Sequence, residues 1–203
     1  MIKAVLFDFG GVLTETGKRG YITGVVAEIL GLPPETVDIA DLHADLRRGN
    51  IQEADFFAAI NQRYAKNKQL TKDEFVAKTE LVNLSPQVMD LARQLPRHGI
   101  VTGILSNVFS VNAERLRARG YYDGFDPVFL SCEIGYAKPD PGIYKYVLEK
   151  LNVRPQEILF IDDQEKCTEP ARALGMHVVL AMSPDQIVAD VKAILKIEND
   201  IDL

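Results

Sequence analysis

Four apolar residues in succession, Ala4, Val5, Leu6 and Phe7, lead into an acid, Asp8, and a glycine pair, Gly10–Gly11. An apolar run this short, without helical spacing, predicts a strand buried on both faces. From Tyr21 to about Thr79 the apolar positions recur instead at three- and four-residue intervals. Ile22, Val25, Val26, Ile29 and Leu30 make one helix face, stopped by Gly31 and Pro33–Pro34. A second helix is predicted over 35–48, with Val37, Ala40, Leu42 and Leu46 inward. A third spans 52–66 (Phe56, Phe57, Ile60, Tyr64), and a fourth starts at Thr71, which has Glu74 at the capping-box spacing. Four helices with no strand between them read as an insertion.

From Ser85 onward strands and helices alternate. Strands are predicted at 100–105, 128–130, 158–161 and 177–180, and helices at 86–95, 112–119, 141–151, 165–174 and 184–196. This order predicts an α/β fold, a parallel sheet covered by helices on both sides. The chain then divides into a core, 1–14 with 84–203, and a helical subdomain, 15–83. The acidic tail from Glu198 is expected to fray.

The 203 residues suffice for one sizeable domain with an insert. A net charge of −6 and the lack of a basic stripe argue against nucleic acid or an anionic membrane as partner. No apolar run approaches the length needed to span a bilayer. Cys132 and Cys167 are far apart and show no metal-ligand spacing, as expected of reduced thiols in a cytoplasmic protein.

Chemistry concentrates where the strands end. Asp8, Ser106–Asn107 and Asp162–Asp163 each follow a strand, and Lys138 precedes a helix. In open α/β sheets ligands bind beyond the carboxyl ends of the strands. Singly, each has an ordinary explanation: the paired acids as helix N-caps, Ser106 and Asn107 as turn formers, Lys138 as a solvated lysine. Together on one rim they would set three carboxylates side by side. Each pair about 4 Å apart costs on the order of 4 kcal/mol at an effective dielectric of ~20. Such a cluster needs protons or a cation, and oxygen ligands without His or Cys suit Mg²⁺. A metal, a lysine and hydroxyl or amide donors are what phosphoryl transfer requires, with one carboxylate left as nucleophile.

The segments AVLFDFGGVL (4–13), GILSN (103–107), GYAKPDPGIY (135–144) and ILFIDD (158–163) resemble, in order and spacing, the four motifs of the haloacid dehalogenase-like hydrolase superfamily. The resemblance covers essentially the whole chain and implies a Rossmann-like three-layer core. The helical insert is similar to that superfamily's type 1 cap. By this resemblance Asp8 is the nucleophile, Ser106 and Asn107 hold the transferring group, and Lys138 neutralises charge. Mg²⁺ is held by Asp8, the Gly10 carbonyl and Asp163, with Asp162 behind a water or in an outer shell. The implied activity is Mg²⁺-dependent hydrolysis of a small phosphate ester, such as a sugar phosphate, through an aspartyl-phosphate intermediate.

One departure bears on rate. Phosphatases of the superfamily carry a second Asp two residues after the nucleophile as general acid and base, and this chain has Gly10. The FGGV form is similar to a subgroup with sugar-1-phosphate phosphatases and the N-terminal domains of soluble epoxide hydrolases. Leaving groups already acidic enough to depart without protonation would tolerate the change. Gly10 also leaves open a ligand- or protein-binding homologue with little turnover. A 2-haloacid dehalogenase is the other alternative, and the acids 162–163 count against it. Cys167 stands where relatives often have Asn. Gly17 and Gly20 are candidate hinges for the insert. Arg47 and Arg48 either reach substrate or complement a helix dipole. His43, His98 and His177 have no partner spacing, and Tyr121–Tyr122 and Phe56–Phe57 read as packing.

Overall fold

In the computed structural model, which describes residues 1–14, 21–79 and 83–203, five strands form one parallel sheet. They are Ala4–Phe7 (β1), Val101–Ser106 (β2), Val128–Leu130 (β3), Ile158–Asp162 (β4) and His177–Leu180 (β5), in the order β3-β2-β1-β4-β5. β1 is central, paired with β2 from Ala4–Val101 to Phe7–Ile104 and with β4 from Ala4–Ile158 to Phe7–Ile161. The strand order reverses at β1, so Asp8 leaves the sheet at the switch point where ligands bind.

The helices are Tyr21–Leu30 (α1), Ala40–Arg47 (α2), Glu53–Tyr64 (α3), Lys72–Lys78 (α4), Pro86–Gln94 (α5), Ser110–Ala118 (α6), Ser131–Ile134 (α7), Pro141–Leu151 (α8), Glu165–Ala173 (α9) and Pro184–Asn199 (α10). Alternation along β1 sorts them into layers. Val5 and Phe7 pack with Val88, Leu91 and Leu95 at α5 and its end, and with Ile187, Val191 and Leu195 of α10. Ala4 and Leu6 face the opposite side, against Ile143, Tyr144 and Val147 of α8 and Ala171 of α9. The chain therefore has the expected three-layer α/β architecture.

Helices α1–α4 form a third apolar cluster, centred on Val26, Ile29, Phe56, Ile60 and Phe75 and closed by Phe109 and Val111 from the start of α6. Thr14 and Leu84 meet as an antiparallel bridge, and Ser85 donates its N–H to the Leu13 carbonyl at 2.9 Å. The two ends of the inserted segment thus lie side by side at the sheet. Gly17 and Gly20 lie outside the described residues.

Three local features differ from the sequence expectation. The second helix begins at Ala40, because Pro33–Pro34 lead into a single 3₁₀ turn (Pro34–Thr36). Val37 and Ile39 are then both buried around exposed Asp38, the alternation of an extended link. The tyrosine at the end of α3 closes this link: Tyr64 Oη accepts from Asp38 N and donates to Asp38 O. The four-residue helix α7 is too short to show periodicity. The C-terminus is anchored, not frayed: Asn199 exchanges two 2.8 Å hydrogen bonds with the Ile2 backbone, and Lys192 Nζ donates to the Leu203 carbonyl. The Thr71 cap stands as expected, its hydroxyl accepting from Glu74 N.

Candidate active site

The site grows from the carboxyl end of β1. Asp8 N donates to the Ile161 carbonyl at 2.8 Å, continuing the ladder, and its Oδ1 accepts from Phe9 N at 2.7 Å. The chain then coils through a tight turn over Phe9–Leu13, in which Gly11 takes φ +78°. A Cβ on Gly11 would lie 2.7 Å from Asp163 Oδ2, so glycine is required twice, for the left-handed backbone and for the approach of this turn to Asp163. Gly10, at φ −75° and ψ 126°, has a conformation open to any residue.

β4 supplies the paired acids. Oxygens of Asp8, Asp162 and Asp163 all lie within 4.8 Å of one another. Asp162 is fully buried and Asp163 half-exposed. Neither is the helix N-cap, since Gln164 holds that position; Asp162 Oδ1 accepts from Gln164 N at 2.8 Å. Lys138 enters from the loop before α8, with Nζ 2.6 Å from Asp162 Oδ2, 3.0 Å from Asp8 Oδ1 and 2.8 Å from the Leu105 carbonyl. It is buried, not a solvated surface lysine. Asn107 holds that loop: its amide donates to the Lys138 carbonyl at 2.7 Å and its oxygen accepts from Lys138 N at 2.8 Å. Ser106, at the end of β2, is buried beside it.

Two positioning groups carry no signal in the sequence. Buried Ser131 accepts from Val108 N at 3.1 Å and steadies the turn after Asn107. Tyr144 Oη donates to the Cys167 carbonyl at 2.6 Å and ties α8 to α9. A serine opening a short helix and a tyrosine inside a helix are ordinary on their own, and only the tertiary contacts give them meaning.

Electrostatics follow from burial. Desolvation pushes Asp8 up to about 6, against the attraction of Lys138 and with the repulsion of Asp162. Burial, and then Asp162, also raise Asp163. Burial opposes the charge on Lys138, but Asp162 and Asp8 outweigh it and hold the ammonium protonated. One lysine balances one of three acids. The uncompensated charge and the all-oxygen donor set fit a hard divalent cation, and Mg²⁺ above all. Replacing Gly11 by Ala is expected to displace Asp163 and to strain the turn by ~1–2 kcal/mol. Calorimetric titration should show Mg²⁺ affinity reduced at least ~10-fold; unchanged affinity would mean that the Asp163 carboxylate is not held by this contact.

A family model described as haloacid dehalogenase-like hydrolase matches residues 2–175, most of the chain. The chain is a haloacid dehalogenase-like hydrolase. Among curated relatives, the sesquiterpene phosphatase astK of Aspergillus oryzae is 27% identical, over 86% of this chain and 87% of that one. Bifunctional epoxide hydrolase 2 of Sus scrofa is 30% identical over 55% of this chain, which spans only 21% of that larger protein. A solved HAD family enzyme from Bacteroides thetaiotaomicron, in complex with magnesium and inorganic phosphate, superposes with a TM-score of 0.72 at 25% identity. That match covers 88% of this chain and 93% of the other. The Asp8–Asp162–Asp163 cluster is compatible with the same metal. No helix among the described residues is long and apolar enough to cross a membrane.

Proposed function

We propose that this hydrolase is a Mg²⁺-dependent phosphomonoesterase for a small phosphorylated metabolite, working through an aspartyl-phosphate on Asp8. The observation that carries the reading is the group of three carboxylates, Asp8 and Asp162 buried and Asp163 half-exposed, beside the buried Lys138 at the sheet's switch point. Asp8, Asp163 and the Gly10 carbonyl would hold the ion, with Asp162 behind them, and the ion would neutralise phosphate charge and orient the phosphoryl group. An Asp8 carboxylate oxygen attacks phosphorus as the ester oxygen departs on the opposite side. Lys138 keeps that carboxylate ionised and offsets the charge gathering around it. Ser106 and Asn107 line the phosphate side, Asn107 also fixing the Lys138 loop. Water then cleaves the acyl phosphate and restores the carboxylate.

The helices α1–α4 act in this reading as a cap over the strand ends that excludes water and selects the substrate. Support comes from their separate core and from their contacts with the rim. Glu53 Oε1 of α3 accepts from Val111 N at 2.5 Å, and a Cβ on Gly49, just after α2, would meet the Cys132 carbonyl at 2.9 Å.

With Gly10 where a proton donor would stand, leaving groups of low pKa are expected to react best. General acid catalysis is worth ~10²–10⁴-fold, so a sugar 1-phosphate should turn over faster than the 6-phosphate of the same sugar. The primary test is release of a chromogenic alcohol from its phosphate ester with Mg²⁺ and then with EDTA. Turnover abolished by EDTA and restored by Mg²⁺ is expected. Metal-independent halide release from a 2-haloacid, or no turnover by a folded protein, would replace this reading with one of the alternatives.

A further inference from the structure

Helix α6 begins without a cap of its own. Phe109 holds its N-cap position in extended backbone, and a phenyl ring offers no oxygen to the first free N–H groups of the helix. The acceptor comes instead from an inserted helix. Glu53, in the first turn of α3, accepts from Val111 N at 2.5 Å through Oε1, and its Oε2 lies 2.9 Å from Lys72 Nζ of α4. A carboxylate is a strong acceptor there, because these N–H groups carry the positive end of the helix dipole. The Phe109 side chain also lies among the inserted helices. It is 3% exposed, and its ring meets His43 at 5.0 Å, Phe56 at 6.1 Å and Phe75 at 6.5 Å.

The residues just before Phe109 belong to the site. Val108 N donates to Ser131 Oγ at 3.1 Å. Asn107 grips the Lys138 backbone through both ends of its amide, at 2.7 and 2.8 Å, and Lys138 Nζ stands 3.0 Å from Asp8 Oδ1. Only Val108 separates Asn107 from Phe109, at most about 7 Å of extended chain, so a shift of one is passed to the other. Held by Ser131 on the core side and by Glu53 and the aromatic rings on the other, this segment is shared by both parts of the fold.

We propose that Phe109 and Glu53 are positioning residues: by holding the start of α6, the inserted helices set the Asn107 side chain and, through it, the Lys138 loop beside Asp8. The inserted helices then help to assemble the reaction centre as well as cover it, and their effect extends to substrates too small to need selection. The link to turnover rests on the phosphatase reading; the link from Glu53 to Lys138 does not.

Amide hydrogen exchange resolved by NMR on the full chain tests that second link. Lys138 N–H donates to Asn107 Oδ1, so its protection reports the contact. Glu53→Ala and Phe109→Leu should each speed its exchange about 10-fold, the scale of one hydrogen bond lost, with the β1 amides unchanged. Glu53→Gln keeps an acceptor oxygen and should fall between Glu53→Ala and the parent. Phe57→Leu loosens the same apolar cluster, but the Phe57 ring contacts are with Phe56 and Phe75; it should speed α3 amides and leave Lys138 as it was. Faster exchange in α6 with Lys138 N–H unchanged would overturn the proposal, as would a Phe57→Leu effect on Lys138 equal to that of Glu53→Ala.

Turnover of acetyl phosphate, a small substrate with an acidic leaving group, supplies the other readout. Glu53→Ala and Phe109→Leu should lose ~10–100-fold, more in kcat than in KM, as expected when a reacting group is displaced by a fraction of an ångström to 1 Å. Glu53→Gln should recover part of the loss. Parental kcat in a variant whose Lys138 amide exchanges faster would overturn the positioning role. If the parent hydrolyses no ester yet the Lys138 amide responds to Glu53→Ala, the coupling stands and the phosphatase reading falls. Thermal unfolding confirms that folded proteins are compared, and the two Glu53 variants decide the outcome if Phe109→Leu does not fold.

Discussion

Asp8→Asn is expected to reduce hydrolysis of every phosphate ester by roughly 10⁴-fold or more, the scale seen when an attacking group is removed. The amide keeps the shape of the carboxylate but cannot form the acyl phosphate. Folding should survive, because Lys138 retains Asp162 at 2.6 Å and the Leu105 carbonyl at 2.8 Å. Stability also has a pH signature. Asp8 is raised from 3.8 to about 6 in the fold, so the metal-free native state binds its proton more tightly than the unfolded chain does. That contribution is fully present below about pH 4 and is lost as pH rises through about 6. Thermal unfolding in EDTA should show this decline in the parent and a flatter profile in Asp8→Asn. Mass spectrometry of rapidly quenched turnover should find phosphate on the peptide containing Asp8 in the parent only. A variant as active as the parent would remove Asp8 from the mechanism.

The order and position of the strands were legible because each is a short apolar run ended by a polar group. Burial on both faces of a parallel sheet demands such runs. Helices long enough to repeat their apolar face were equally clear, whereas α7 and the extended link through Val37 and Ile39 were not. Both are set by tertiary contacts, Ser131 to the Val108 backbone and Tyr64 to Asp38. For the site, chain order showed which groups would meet at the rim but not what each would touch. Asn107 could be read as a turn former or as a group holding the transferring phosphoryl, yet both ends of its amide grip the Lys138 backbone. Arg47 and Arg48 look alike in sequence. Helix phase places Arg47 in the field of Asp8, while Arg48 ends α2 as its C-cap. His43 had no sequence partner because its neighbours, Phe109 and Lys166, come from elements far along the chain.

Replacing Lys138 by Met is expected to damage fold and activity together. Its ammonium is buried between Asp8 and Asp162, and methionine fills similar space without charge. Removing one partner of a buried ion pair leaves the other charge uncompensated, typically at a cost of ~3–5 kcal/mol. The rate should fall by at least ~10²–10³-fold, as when a preorganised electrostatic partner is lost from a reacting site. Without the lysine the remaining repulsion raises Asp8 beyond the value it has beside Lys138, so the carboxyl tends toward its neutral form. The stability deficit of Lys138→Met should therefore narrow as pH falls and widen above neutrality, with the sign set by carboxylates that are easier to bury when protonated. Adding Asp162→Asn removes a second buried charge and should recover part of the stability but none of the rate, a non-additivity read from the double-mutant cycle. Denaturant unfolding across pH, with and without Mg²⁺, measures both terms. A Lys138→Met protein as stable as the parent at pH 8 would mean that the ammonium offsets no buried charge there, and would leave no reason for a cation among the acids.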